Sequence, residues 1–280
     1  MREESSILFL RRTNRTHRIL IEWLFVFVVL SGCVAHKASR YPPHVILPDP
    51  NHLYQRLVAR CQAIHSVKGL AEVRVRQGNK TFRFEESVVL QKPGSLRVET
   101  MDFWGQTIFL WIVHQGDWIT FSAPDDRYAH GQSAVEVIRE LIGFAWSPDV
   151  MVRLFAGDPL YIGIDKPNVR ISRDEGYFLL DVEDERTQVR YLIWVGYGDV
   201  PVRSLLVTAP ADSPYGEGMQ VEYSRYKTVD GIDFPFSAVV SAPCRDCDLV
   251  VDYESLMLNC SLEEGIFSFP PPAPMDQYKR

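Results

Sequence analysis

The sequence predicts an α+β fold in which a curled antiparallel β-sheet carries helices on its concave side. An amphipathic helical pattern precedes a long series of strand-like segments, and two short helical segments interrupt that series near its middle. Antiparallel sheets with many strands twist and curl, so helices on the concave side would enclose an apolar space. Two outcomes are compatible with this plan: side chains fill the space, or it stays open to an apolar ligand.

The first 32 residues have the layout of a secretory signal. Four arginines between positions 11 and 18 precede an apolar run at positions 19–30, which contains one charge, Glu22. The run has 12 residues, whereas a spanning helix needs about 20. It ends in Leu-Ser-Gly-Cys33, which resembles the lipobox of bacterial lipoproteins. This resemblance implies cleavage before Cys33 and acylation of that residue; the alternative is an ordinary signal peptide with a chance cysteine.

The composition of the remaining chain excludes some classes of partner. Removing residues 1–32 from the 280-residue chain leaves 248 residues, enough for a sizeable core. The removed segment holds five Arg and three Glu, so the net charge moves from −6 to −8. Because no basic tract is present, nucleic acid binding and electrostatic capture of anionic lipid are disfavoured. Contact with a membrane would therefore depend on the acyl chains of Cys33.

The sequence divides into a signal peptide (1–32), a lipidated cysteine with a Pro-rich tether (33–50), a single domain (51–272) and a tail (273–280). Four prolines between positions 42 and 50 favour an extended tether of roughly 50 Å. We predict that Asn51 caps the first helix. Apolar residues then recur at helical spacing, at positions 53, 57, 61 and 64.

Strand and turn signals then fill the domain. Gly78-Asn79 predicts a hairpin between strands at 70–76 and 81–91. The segment 107–114 is apolar on both faces, so both faces should be covered. Capping signals at Ser133 and at Ser147-Pro148 predict the two central helices, and Gly157 should end the second. Later strands are predicted at 169–172, 177–182, 189–195, 202–208, 219–226, 236–241 and 249–258.

If the interior is open, candidate residues for its lining come from the apolar strand and the central helices: Ile108, Leu110, Ile112, Leu141 and Phe155. We expect no enzyme. The sequence has no G-x-S-x-G, H-E-x-x-H or phosphate-binding glycine motif, so no catalytic residue or cofactor is assigned. The paired acids at 125–126 and 184–185 fall in predicted turns, which favours solvated loops.

Four cysteines remain besides Cys33, in an oxidising compartment that permits disulfides. Cys244 and Cys247 form a single C-x-x-C and are a candidate disulfide, although sequence cannot choose among three pairings. Redox lability is an alternative. A metal site is disfavoured, since a second cysteine pair is absent and no histidine follows His130.

Several segments, taken together in their order along the chain, resemble the LolA/LolB family of periplasmic lipoprotein carriers and acceptors. The resemblance is closer to the LolB-like branch. They are the opening strand (67–73), a K-P-x-x-L-R hairpin (90–97), a loop before Gly105 (102–105), a helical insertion (134–143 and 148–157), a Y-x-x-x-x-G-x-x-F-P hairpin (226–235) and the closing segment (258–271). The chain is longer than typical acceptors and richer in cysteine.

This resemblance implies a half-open β-barrel, closed by helices, that takes up acyl chains. The implied function is that of an anchored protein accepting or localising lipoproteins at the periplasmic face of the outer membrane, with a periplasmic carrier as a possible partner. Val34 fits this location, because Asp at that position implies retention in the inner membrane. Phe103 and Trp104 would form a membrane-facing loop, or else lie buried in a tight turn. Two alternatives are a lipid-binding or sensing module without transfer and a structural adaptor with a filled core.

Overall fold

The computed structural model describes residues 45–132, 134–142, 146–158, 164, 167–197, 202–209, 218–241, 247–271 and 277–279. These residues belong to one compact unit. The predicted signal peptide, Cys33, Cys244 and the capping residue Ser133 lie outside the described residues.

The described residues form three helices and one 14-stranded sheet. The helices are α1 (Pro50–Ala63), α2 (Val135–Ile142) and α3 (Pro148–Phe155). The strands are β1 (Ser66–Gln77), β2 (Lys80–Gln91), β3 (Ser95–Met101), β4 (Thr107–His114), β5 (Asp117–Ser122), β6 (Arg127–Gln132), β7 (Asn168–Asp174), β8 (Tyr177–Asp184), β9 (Val189–Val195), β10 (Val202–Thr208), β11 (Met219–Val229), β12 (Ile232–Ser241), β13 (Cys247–Leu258) and β14 (Gln277–Lys279).

The sheet is antiparallel from β1 to β13, and it is open. Its order is β14-β6-β5-β4-β3-β2-β1-β13-β12-β11-β10-β9-β8-β7, so β1 and β13 join the two halves at the centre. Only the short β14 pairs in parallel, with the edge strand β6. The predicted α+β class with a curled antiparallel half-barrel is confirmed.

Helix α1 begins two residues earlier than the sequence predicted. Asp49, not Asn51, is the N-cap: its carboxylate accepts a hydrogen bond from the backbone N–H of His52 at 2.8 Å. Pro50 occupies the first helical turn, where its missing N–H costs nothing. The predicted apolar stripe is confirmed, because Leu53, Leu57 and Cys61 are buried.

Alternation along the strands separates an inner face from an outer face. On β8 and β9 every second residue, such as Leu180 and Ile193, is buried in the main core beneath the helices. Strand β4 is buried on both faces, as predicted. Its inner residues Trp111 and Val113 belong to the main core. Its outer residues form a second cluster that the C-terminal segment covers, as described below.

Helix α3 is held inside the sheet at its C-terminal end. Ser147 caps its start and Gly157 adopts a positive φ of 65° just beyond its end, as predicted. Two tyrosines of the inner face bind carbonyl oxygens at this end: Tyr253 donates to Phe155 at 2.9 Å, and Tyr223 donates to Asp158 at 3.2 Å. The first bond satisfies a carbonyl that the helix itself leaves without a partner, and the second holds the residues that follow its end.

Two strands were not predicted from the sequence. Strand β6 lacks a strong alternating pattern, and β14 falls in the segment interpreted as a tail. Strand β1 also starts at Ser66, earlier than expected. Pairing fixes this early start, because Ser66 pairs with Gln91 of β2 and Val67 pairs with Leu258 of β13. The β13 partner lies far away in sequence, so the local pattern does not reveal it.

Candidate functional site

A cleft of about 530 Å³ lies between the inner face of β4–β6 and helix α2. The residues that line it are both apolar and polar: Phe109, Trp118, Thr120, Phe121, Ser122, Asp125, Arg127, Tyr128, Ala129, Gln132, Glu136, Val137 and Glu140. Its volume falls in the range of about 300–1,000 Å³ that is typical of small-molecule pockets. The cleft is therefore a candidate site for an amphiphilic ligand.

The interior beneath α1 and α3 is filled. Trp146, Met151 and Phe155 are buried there against inner-face residues such as Phe234. The sequence left open whether side chains fill the concave side or leave a space there, and both are found, in different places. Side chains pack the centre of the concave side, and the cleft remains at the β4–β6 side.

The residues predicted to line the interior do not come together. By strand alternation Ile108, Leu110 and Ile112 point to the outer face, where Leu110 and Ile112 pack with Phe267 and Phe269. That part of the prediction is corrected: Phe109, Trp111 and Val113 are the inward-facing residues of β4.

Phe155 is buried in the main core and is not among the residues that line the cleft. Leu141 belongs to α2, but its side chain lies outside the described part of the structure. Neither residue is therefore placed in the cleft wall. The residues that do line it on the helix are Glu136, Val137 and Glu140.

Phe103 and Trp104 form the tip of the β3–β4 turn and project into solvent. Their exposed fractions are 93% and 81%, which excludes the buried alternative. The rings contact each other edge to face, with centroids 5.4 Å apart. Asp102 fixes the turn, because one carboxylate oxygen accepts from the backbone N–H groups of Trp104 and Gln106 at 2.8 Å each.

The aromatic tip and one end of the cleft lie at the same end of the sheet. In an antiparallel meander every second turn lies at the same end, so the β1–β2, β3–β4 and β5–β6 turns are neighbours. Ala123 donates a backbone hydrogen bond to the carbonyl of Ile108 at 2.8 Å, which joins the β5–β6 turn to the start of β4. Asp125, in that turn, lines the cleft.

A second aromatic pair lies on the β1–β2 hairpin. Phe82 and Phe84 stack with centroids 6.5 Å apart and are partly exposed. They share the inner face with Val75 and Val73, their cross-strand partners. Strand β3 pairs only with the later part of β2, beginning at Ser87, so it does not flank these rings.

Glu86 is a buried carboxylate on the inner face of β2. It lies opposite Ala71 and is 4% exposed. The hydroxyl of Thr100 donates to its carboxylate, with oxygen–oxygen distances of 3.0 and 2.9 Å. Burial raises the pKa of Glu86 to about 7, although the Thr100 hydrogen bond acts in the opposite direction. No motif in the sequence marks this group as buried.

A buried ion pair joins the β2–β3 turn to the end of α3. The Nζ of Lys92 lies 2.5 Å from a carboxylate oxygen of Asp158 and donates to the carbonyl of Cys61 at 2.7 Å. Burial raises the pKa of Asp158 to about 6, partly offset by the Lys92 ammonium. Burial also raises the pKa of the Cys61 thiol, which makes that thiol unreactive. Lys92 belongs to the K-P-x-x-L-R segment, but that segment did not predict its contact with Asp158.

Other site types receive no support from the described residues. They contain no group of three or more His, Cys, Asp or Glu side chains that could hold a metal ion. None of their helices combines the length and the apolar character needed to cross a membrane. Cys247 is buried on β13, and its predicted disulfide partner Cys244 lies outside the described residues, so that pairing stays a prediction.

No family model and no curated protein matches the sequence. Solved structures do match. A DUF1329 family protein from Desulfovibrio piger is 14% identical with a TM-score of 0.56, and the match covers 79% of this chain and 98% of that one. A LolA superfamily protein from Nitrosomonas europaea is 13% identical with a TM-score of 0.51, over 77% and 97% of the two chains.

A domain from Vibrio parahaemolyticus, described as an outer membrane lipoprotein-sorting protein, is 10% identical with a TM-score of 0.52, over 77% and 94% of the two chains. These likenesses concern the fold, and they do not distinguish the acceptor branch from the carriers. The open antiparallel sheet with helices on its concave side is therefore similar in fold to these solved structures.

Proposed function

We propose that this protein binds acyl chains in the cleft between β4–β6 and α2, as a lipoprotein anchored through Cys33 at the periplasmic face of the outer membrane. Its role there would be to accept or localise lipoproteins, and it would act by binding without catalysis. The observation that carries the proposal is the cleft itself, an opening with Phe109, Trp118 and Val137 in its walls on the concave side of a LolA-type sheet.

The energetics fit passive uptake of a lipid chain. Each CH₂ group moved out of water gains about 0.8 kcal/mol, so a chain needs only an apolar wall in place of the bilayer interior. The cleft offers aromatic and aliphatic side chains for the chain and polar side chains for a head group. Transfer then requires no energy source when the next site binds the chain more tightly.

The exposed tip supplies a means of contact with a bilayer. Phe103 and Trp104 lie at the end of the sheet that the cleft reaches, and Trp prefers the membrane interface. We expect Trp104→Glu to reduce binding to phospholipid vesicles while leaving the thermal unfolding midpoint unchanged. Met257→Glu, at an exposed apolar residue of β13, is the matched control and should bind vesicles normally.

The central experiment is native mass spectrometry of the full chain carrying Cys33→Ser, which removes its own acyl chains. We expect a co-purifying lipid. Ala129→Trp should abolish it, because Ala129 lines the cleft and the larger ring would fill it. Ala59→Trp, on the exposed face of α1, should retain the lipid. A folded wild-type protein that neither retains nor takes up any lipid would contradict the proposal.

The filled centre favours a second candidate function on the same fold. Because Trp146, Met151 and Phe155 occupy the space beneath α3, the cleft has room for a small lipid rather than a large acylated cargo. A lipid-binding or sensing protein without transfer activity needs no more than this. If lipoproteins remain correctly placed in the outer membrane after depletion of the protein, this second function replaces transfer.

A further inference from the structure

A buried hydrogen-bond donor without an acceptor lies beside the cleft. Trp111, on the inner face of β4, is 4% exposed, and its Nε1–H has no hydrogen-bond partner in the part of the chain that the structure describes. Other indoles of the sheet have acceptors: Trp118 donates to the carbonyl of Gln132 at 3.2 Å, and Trp194 donates to the carboxylate of Asp174 at 2.6 Å. Because burying a donor without a partner is unfavourable, the Trp111 indole points to an acceptor supplied from outside the fold.

The neighbours of Trp111 place it directly behind the wall of the cleft. Thr120 of β5 lies opposite Trp111, and Phe109 lies two residues before it on the same face of β4. Both neighbours line the cleft and are half-buried. Opposite residues of an antiparallel pair have Cβ atoms about 5 Å apart. A ligand in the cleft therefore reaches the indole by displacing the side chain of Phe109 or Thr120.

The other neighbours of Trp111 on the inner face are apolar. Val98 lies opposite it on β3, Val113 follows it on β4, and both are buried. A buried water needs about two to four polar partners, and among these inner-face neighbours Thr120 alone offers one. One oxygen acceptor carried by an apolar chain suits these surroundings better, and an acyl carbonyl is such a group.

We propose that the indole N–H of Trp111 recognises the carbonyl oxygen of an acyl chain bound in the cleft, so that the protein selects lipids with an acyl carbonyl over alkyl ethers. This inference rests on the proposed function and names the group by which its ligand is selected. A neutral hydrogen bond that satisfies a buried donor changes affinity by about five- to tenfold. An ether of the same chain has no carbonyl at that position and loses this gain.

The test compares two neutral lipids, monopalmitoylglycerol and hexadecyl glyceryl ether, which share the head group and the chain length but differ in the carbonyl. Binding to the Cys33→Ser chain is measured below the micelle concentrations, by displacement of a neutral fluorescent acyl probe. We expect the ester to bind at least about fivefold more tightly than the ether. In nitrogen–proton NMR spectra of the same chain, the ester but not the ether should shift the Nε1–H resonance of Trp111 downfield.

Trp111→Phe keeps an aromatic ring but removes the donor, and should reduce that ratio to about twofold or less. The matched control, Trp194→Phe, removes an indole N–H that already has an acceptor, on β9 and away from the cleft, and should keep the ratio. Ala129→Trp should abolish the binding of both lipids.

Equal binding of ester and ether to the parent chain would overturn this inference and leave the proposed function standing. So would a ratio that Trp111→Phe retains. If that variant does not fold, the NMR spectra of the parent chain decide, and a Trp111 resonance that the ester does not shift overturns the inference. Failure of both lipids to bind would overturn the inference and the proposed function together.

Discussion

Replacing Glu86 with Gln should remove a large part of the pH dependence of stability. The carboxylate is buried on the inner face of β2, and its pKa is raised to about 7 in the folded protein. In the unfolded chain the pKa returns to the ordinary value of 4.5. Between these values the folded state binds more protons than the unfolded state. The contribution of Glu86 to stability is therefore favourable at low pH and is lost as pH rises through about 7.

The magnitude follows from this difference in pKa. Each unit corresponds to about 1.4 kcal/mol, which sets an upper limit of about 3 kcal/mol. Because the carboxyl in the unfolded chain is already mostly ionised at pH 5, the interval from pH 5 to pH 8 covers about 2 kcal/mol of it. Glu86→Gln keeps an acceptor for the hydroxyl of Thr100 but carries no charge. The free energy of unfolding of the variant minus that of wild type should thus be about 2 kcal/mol larger at pH 8 than at pH 5, so the variant gains relative stability as pH rises.

Urea denaturation at pH 5, 6, 7 and 8, followed by tryptophan fluorescence, measures this difference. Asp158, whose pKa is also raised, titrates in both proteins and cancels from the comparison. The control is Glu85→Gln, at an exposed neighbouring residue of the same strand, which should follow the wild-type profile. Parallel profiles for Glu86→Gln and wild type would refute the reasoning, because they would mean that folding does not raise the pKa of Glu86.

Two further substitutions test the contacts that hold α3 in place. Lys92→Met leaves the Asp158 carboxylate buried without its cation, and should destabilise the protein by about 3 kcal/mol at pH 8. The loss should be smaller at pH 5, because Asp158 is then protonated. Urea titrations at both pH values measure the difference. Gly157→Ala combines a positive φ with a Cβ that would lie 2.6 Å from Pro235, and should cost about 2–4 kcal/mol. Gly176→Ala, with a positive φ but open space, should cost only about 1 kcal/mol, and equal losses would contradict the steric argument.

Local patterns predicted most of the fold, because turns, caps and alternation are local properties. Strand β4 shows the limit of such local patterns. Its sequence indicates that both faces are covered, but not which face is inner, since the two faces are equally apolar. The outer cover is Phe267 and Phe269, far along the chain, and only the folded sheet brings them to Leu110.

The candidate site was less accessible to sequence reasoning. The Phe103-Trp104 tip was identified from the resemblance of residues 102–105 to a loop of the acceptor branch, and both side chains are exposed. The cleft residues Glu136 and Glu140 carry no signal of their own, since charged residues on a short helix usually face solvent. Lys92 and Asp158 are likewise ordinary until the β2–β3 turn and the end of α3 meet.

The parallel pairing of β14 with β6 has a consequence for solubility. An open sheet offers unpaired backbone groups at each edge, and such edges are templates for association between copies. Here residues 277–279, at the very end of the chain, occupy the edge at β6, next to the cleft, while α1 packs against β7 at the other edge. The short strand β14 and helix α1 thus each cover one edge of the sheet. Loss of the last few residues would leave β6, which borders the cleft, as the more aggregation-prone edge of the sheet.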